Sequence, residues 1–135
     1  MAWMGTADTV KAINAVTVLH SATKASAWID CTSGLSFTVW ALLSSVAGSP
    51  NFSFYVEVSP FSAQYLNDLV AAGTDSVAYY VQASALATGV TTENTMLRYT
   101  STFLDTPFLS LRVKAVAAVG SNDDSVVSVF VTKFN

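Results

Sequence analysis

The chain has 135 residues, of which 52% are hydrophobic and only 11% charged, with a formal net charge of -3. Such a length suits one domain spanning 1–135, with a core that needs no disulfide or metal staple. Six Lys and Arg scattered along an acidic chain leave no clustered basic footprint, which argues against nucleic-acid binding.

The first residues, Met1-Ala2-Trp3-Met4-Gly5-Thr6-Ala7-Asp8, have no basic stretch followed by an apolar run, so they do not read as a signal peptide. Synthesis without export is the expectation. Residues 1–13 show no clear period. They read either as an N-terminal arm that docks through Trp3 and Met4 or as a segment packed on its own domain.

From there the dominant period is two. Strands are expected near 14–20, 25–31 and 35–43, the last apolar on both faces and therefore central or covered by a partner. Phe52, Phe54, Val56 and Val58 alternate with Ser53, Tyr55 and Glu57 in a half-buried strand over 51–59, which leaves Glu57 solvated or interfacial. Tyr65, Leu66, Leu69 and Val70 have helical spacing before Gly73, so one short helix is expected near 61–72. Thr74–Thr88 fits two patterns. Thr74 or Asp75 could cap a helix that stops before Gly89, whereas Val77, Tyr79 and Val81 alternate as in a strand over 77–83, the reading preferred here. Further strands follow near 94–103, 107–117 and 125–134, with Ser110, Arg112 and Lys114 together on a solvated face. Turn chemistry at Ser33-Gly34, Gly48-Ser49-Pro50-Asn51, Asp105-Thr106-Pro107 and Gly120-Ser121-Asn122-Asp123-Asp124 separates the runs. About eight such strands make an all-β antiparallel β-sandwich, of jelly-roll or Ig-like type. The stretch from Cys31 to Val56 is uncharged, but Ser44-Ser45 and Gly48-Ser49-Pro50-Asn51 interrupt it too early for a spanning helix.

Chemistry is sparse. His20 is the only histidine and no Gly-x-Ser-x-Gly elbow accompanies the seventeen serines, so a Ser-His-Asp site with Asp30 has no support. Glu57 and Glu93 are the only glutamates and lack a partner at diagnostic spacing. Asp123 and Asp124 suit a turn better than a calcium loop. Cys31, the only cysteine, reads as a buried thiol, and one His with one Cys is no metal-ligand set. The isolated glycines form no phosphate-cradling loop. No catalytic residue, cofactor or metal is therefore expected. Polarity comes chiefly from seventeen Ser and fifteen Thr, a composition suited to a protein covered by neighbours. Tyrosines and tryptophans are the residues for such contacts: Trp3, Met4, Tyr55, Tyr65, Tyr79 and Tyr80 are the candidate interface, while Trp28 and Trp40 sit in apolar runs and suit the core. The competing use of exposed rings is a sugar-stacking platform, at Tyr79 or Tyr80, on a carbohydrate-binding or adhesin-like module.

Three strands carry a resemblance. Phe54-Tyr55-Val56-Glu57-Val58-Ser59-Pro60, Phe108-Leu109-Ser110-Leu111-Arg112-Val113-Lys114-Ala115 and Val126-Val127-Ser128-Val129-Phe130-Val131-Thr132-Lys133 resemble strands of β-sandwich structural proteins of tailed bacteriophages. The likeness covers 35–60 and 94–134. Phe61-Ser62 stands where that group has Asp-Gly, and 61–93 is longer than its counterpart. The resemblance implies a capsid decoration protein, bound outside the head lattice, self-associating as a trimer, and contacting a major capsid protein in a virion assembled in the host cytoplasm.

Overall fold

The computed structural model describes residues 7–19, 21–31, 37–47, 50–100, 108–118 and 124–134. In chain order these form β1 (Ala7–Val18), β2 (Thr23–Ala25), β3 (Ile29–Asp30), β4 (Phe37–Ala47), β5 (Phe52–Ser59), α1 (Ala63–Ala71), β6 (Val81–Val90), β7 (Leu97–Thr100), β8 (Ser110–Ala117) and β9 (Asp124–Phe134). All pairings are antiparallel. One sheet has the order β1-β9-β4-β7; the other has the order β2-β8-β5-β6, with β3 also on β8. The two short strands β2 and β3 lie in series on β8, so they act as one interrupted strand. The result is two four-stranded layers between which the chain crosses repeatedly, the jelly-roll arrangement. Of the two expected types, jelly-roll is the one found.

The core lies between the sheets and follows from alternation. Val127, Val129 and Val131 of β9, Val39, Ala41 and Leu43 of β4, Phe54 of β5, and Leu111, Val113 and Ala115 of β8 are all fully buried. Each large apolar side chain so placed stabilises the fold by about 1.5–3 kcal/mol. Strand β4 is an inner strand of its sheet, paired on both edges by β9 and β7. Trp40 nevertheless points outward and is half-buried, so it is not a core residue as its run suggested. Cys31 does lie in the core, free and 1% exposed. Burial pushes its thiol up to about 11, with Lys133 opposing and Asp30 reinforcing the rise.

Several boundaries differ from the sequence reading. Strand β1 begins at Ala7 rather than near residue 14, so the part of the 1–13 segment from Ala7 onward pairs with β9. Its register slips between Lys11 and Ile13 and again before Val16, around Ala15 at φ 47°. Such bulges blunt an edge strand. Val77–Tyr79 is a 3-10 turn and not a strand, with the Ser76 hydroxyl accepting from the Ala78 N–H; extended structure starts at Val81. Strand β7 starts at Leu97 rather than 94. Trp3, Met4, His20 and Asp123 lie outside the described residues.

The expected helix is present as α1. The Ser62 side chain caps it by accepting from Tyr65 N–H. Its far end closes with Thr74 N–H on Leu69 carbonyl and Gly73 N–H on Val70 carbonyl, a Schellman pair that puts Gly73 at φ 80°.

Candidate interaction surface

Helix α1 and the 3-10 turn cover part of the outward face of the β5–β8 pair, where β5 and β8 carry Glu57, Arg112 and Lys114. Glu57 and Arg112 lie directly opposite in register, and both are buried. Glu57 is therefore not solvated, and neither are Arg112 and Ser110. The Arg112 Nε donates to Glu57 Oε1 at 2.7 Å, and its two terminal nitrogens donate to the Asp75 carboxylate at 3.1 and 3.3 Å. Lys114 Nζ stands 3.3 Å from the other Glu57 oxygen. The guanidinium carbon also lies 4.7 Å from the Trp28 ring and 4.8 Å from the Tyr80 ring, whose own centroids are 5.5 Å apart. Burial alone would lower the Arg112 pKa. Its hydrogen bonds to Asp75 and Glu57, with their charges, outweigh that and hold it above the ordinary value.

Two backbone devices build this clasp. Between β2 and β3 the chain bulges, and Ser26 restores the ladder: its N–H donates to Val113 carbonyl, and its hydroxyl accepts from Val113 N–H at 3.0 Å. The bulge throws Trp28 to the outward face. There Asn67 of α1 takes the place of a neighbouring strand, accepting from Trp28 N–H at 2.8 Å and donating to Trp28 carbonyl at 3.1 Å. Trp28 is thus buried in a second small cluster with Ala63 and Leu66, outside the main core. The packing between α1 and the sheet leaves no space for a water-sized guest, so the clasp is a fastening and not a pocket.

What the clasp fastens is an exposed aromatic patch. Phe61, Tyr65 and Tyr79 contact one another pairwise, with ring centroids 5.4, 5.8 and 6.3 Å apart. Two buried serines seat them: Ser59 donates to Tyr79 carbonyl and accepts from Phe61 N–H, while Ser110 donates to Phe61 carbonyl. Tyr65 is 44% exposed, and Val77, on the same 3-10 turn as Tyr79, is 77% exposed. Asp68, three residues beyond Tyr65, shares its face of α1. The rings meet at 43°, 69° and 78°, so they offer edges and a ridge rather than a flat stacking platform.

Of the interface candidates named from the sequence, Tyr65 and Tyr79 come together in this patch. Tyr80 turns inward against Arg112 and Trp28. Tyr55 stands half-buried on β5, opposite Lys114 and apart from the ridge. Phe61 and Val77 were missed, as was the whole Arg112 clasp. Among the described residues no group of three or more His, Cys, Asp or Glu is arranged to hold a metal ion, and no helix is long and apolar enough to cross a membrane.

No family model matches the chain, and no curated protein matches it in sequence. Among solved structures it is similar to a chain in the structure of infectious bursal disease virus, Gx strain, with a TM-score of 0.57 and 14% identity. What the two share is the fold. The likeness covers 98% of this chain and 32% of that one, so this chain spans about a third of the other's length.

Proposed function

We propose that the chain is a non-catalytic structural subunit of a virion that works through contacts with neighbouring copies and with other particle proteins. The observation that carries this reading is the jelly-roll fold, matched along nearly its whole length by a chain of a virus structure. The surface chemistry supports it. A chain with so few charges exposes a ridge of Phe61, Tyr65, Val77 and Tyr79, and that ridge is held rigid by a buried ion-pair clasp. Preorganised aromatic area of this kind binds at low entropic cost. Within this reading the finer assignment is capsid decoration: copies associate as a trimer, contact a major capsid protein from outside, and join a virion assembled in the host cytoplasm. Tyr65, Tyr79 and their neighbours form the contact ridge.

Particle association is the test. Labelled protein is mixed with purified candidate heads and sedimented through a density gradient. Wild type is expected to travel with the heads in saturable amounts, and the Tyr65→Glu, Val77→Glu double variant to stay at the top. Wild type that remains at the top with heads of every candidate host would overturn the decoration assignment.

A further inference from the structure

A second exposed apolar region lies on the opposite side of the sandwich, on the outward face of the β1-β9-β4-β7 sheet. Strand register there sets four side chains in one row: Lys11 faces Phe130, Phe130 faces Trp40, and Trp40 faces Arg98. The Lys11 ammonium lies 5.8 Å from the Phe130 ring centroid. Two aromatic rings thus have a cation at each end of a row about 14 Å long, three strand spacings. Thr9, Trp40, Met96, Phe130 and Thr132 line an open groove of about 270 Å³. Its polar atoms bond one another. Trp40 Nε1 donates to Thr132 Oγ1 at 3.0 Å, and that oxygen is 2.9 Å from Thr9 Oγ1. A guest meets ring faces and the Met96 side chain, which is 48% exposed.

We infer that this groove docks an acidic segment of a partner protein. One large apolar side chain of the segment seats against Trp40, Met96 and Phe130, and carboxylates on either side of it meet Lys11 and Arg98. The volume falls just below the range of about 300–1,000 Å³ usual for small-molecule sites, and suits a single side-chain anchor. The lining offers only two hydroxyls and one indole N–H as polar groups, and the indole N–H is already spent on Thr132. Charge selects the flanks: among the described residues neither Lys11 nor Arg98 has an ion-pair partner. The carboxylate on an outward position of β9, Asp124, is six residues along the strand from Phe130, about 20 Å away. The anchor supplies most of the affinity, and the flanking charges supply encounter rate and register. This site is separate from the α1 ridge and does not depend on the particle reading.

The test is fluorescence anisotropy with a labelled synthetic peptide bearing one central tryptophan flanked on both sides by glutamates. Two control peptides replace the tryptophan by alanine or the glutamates by lysines. Saturable binding of the acidic tryptophan peptide is expected, at least tenfold tighter than either control and weaker in high salt. Met96→Glu and Arg98→Glu, each with an unchanged melting temperature, are expected to weaken it at least tenfold, while Tyr65→Glu on the other face leaves it unchanged. Absence of binding to wild type, equal binding of the lysine peptide, or full binding by Met96→Glu would each overturn the inference.

Discussion

Replacing Arg112 by methionine removes the charge at the centre of the clasp while keeping most of the side-chain length. Glu57, 1% exposed, then keeps one cation, the partly exposed Lys114, at 3.3 Å. Asp75 loses both of its hydrogen bonds from the guanidinium, and Trp28 and Tyr80 lose a cation against their rings. Breaking one side of a buried pair costs about 3–5 kcal/mol, because the remaining charge is left without its partner. Against a total stability of about 5–15 kcal/mol, that is a fifth or more of the whole. Asp75 is 45% exposed at its side chain, so Asp75→Asn should cost much less, about 1 kcal/mol. The decisive comparison is Arg112→Met with Glu57→Gln in the same chain. Removing both charges abolishes the stranded carboxylate, so the double variant should be more stable than Arg112→Met alone by about 1–3 kcal/mol. Urea unfolding followed by circular dichroism measures wild type, the single variants Arg112→Met, Asp75→Asn and Glu57→Gln, and the double variant. If Arg112→Met costs under 1 kcal/mol, or if adding Glu57→Gln makes matters worse by its full separate amount, the clasp does not hold the α1 layer as argued.

Other parts of the fold give independent checks. Ser26→Ala leaves the buried Val113 N–H without the hydroxyl that replaces a strand carbonyl, which should cost about 1–3 kcal/mol and show as faster hydrogen exchange at Val113. Gly73→Ala meets no neighbouring atom, so only the φ of 80° opposes it; a loss of about 1 kcal/mol in thermal or urea unfolding is expected. Cys31 should resist alkylation at pH 8 in the folded protein and react once unfolded, as mass spectrometry would show. Its raised thiol pKa also favours the folded state below pH 9, and that contribution should fade between about pH 9 and 11, where the unfolded thiol ionises and the folded one does not.

The strands that enclose the core were legible because one face of each is buried against the other sheet, which stamps a period of two on β5, β8 and β9. Helix α1 was legible from its spacing and from Gly73. The clasp was not, because alternation reports only that Glu57 and Arg112 point away from the core. It cannot report that a helix and a turn from elsewhere in the chain cover that face. A signal was present all the same. In so weakly charged a sequence, one Glu on one strand and an Arg-x-Lys on another are natural partners, and register does place them opposite. Val77, Tyr79 and Val81 alternate over too few residues to separate a strand from a 3-10 turn begun by Ser76. The break between β2 and β3 was hidden because a serine side chain stands in for the missing ladder bond. Strand order was beyond reach for a different reason: jelly-roll neighbours such as β1 and β9 are far apart in sequence, and no local pattern records which edge meets which.

The central claim is that copies of this chain assemble through the ridge on α1. Light scattering during size-exclusion chromatography, over a range of concentrations, tests it most directly. The account predicts a discrete closed oligomer, at three times the 14.3 kDa of the chain, and a monomer for the Tyr65→Glu, Val77→Glu double variant. A wild-type protein that stays at 14.3 kDa at every concentration, or a double variant with the mass of wild type, would contradict it.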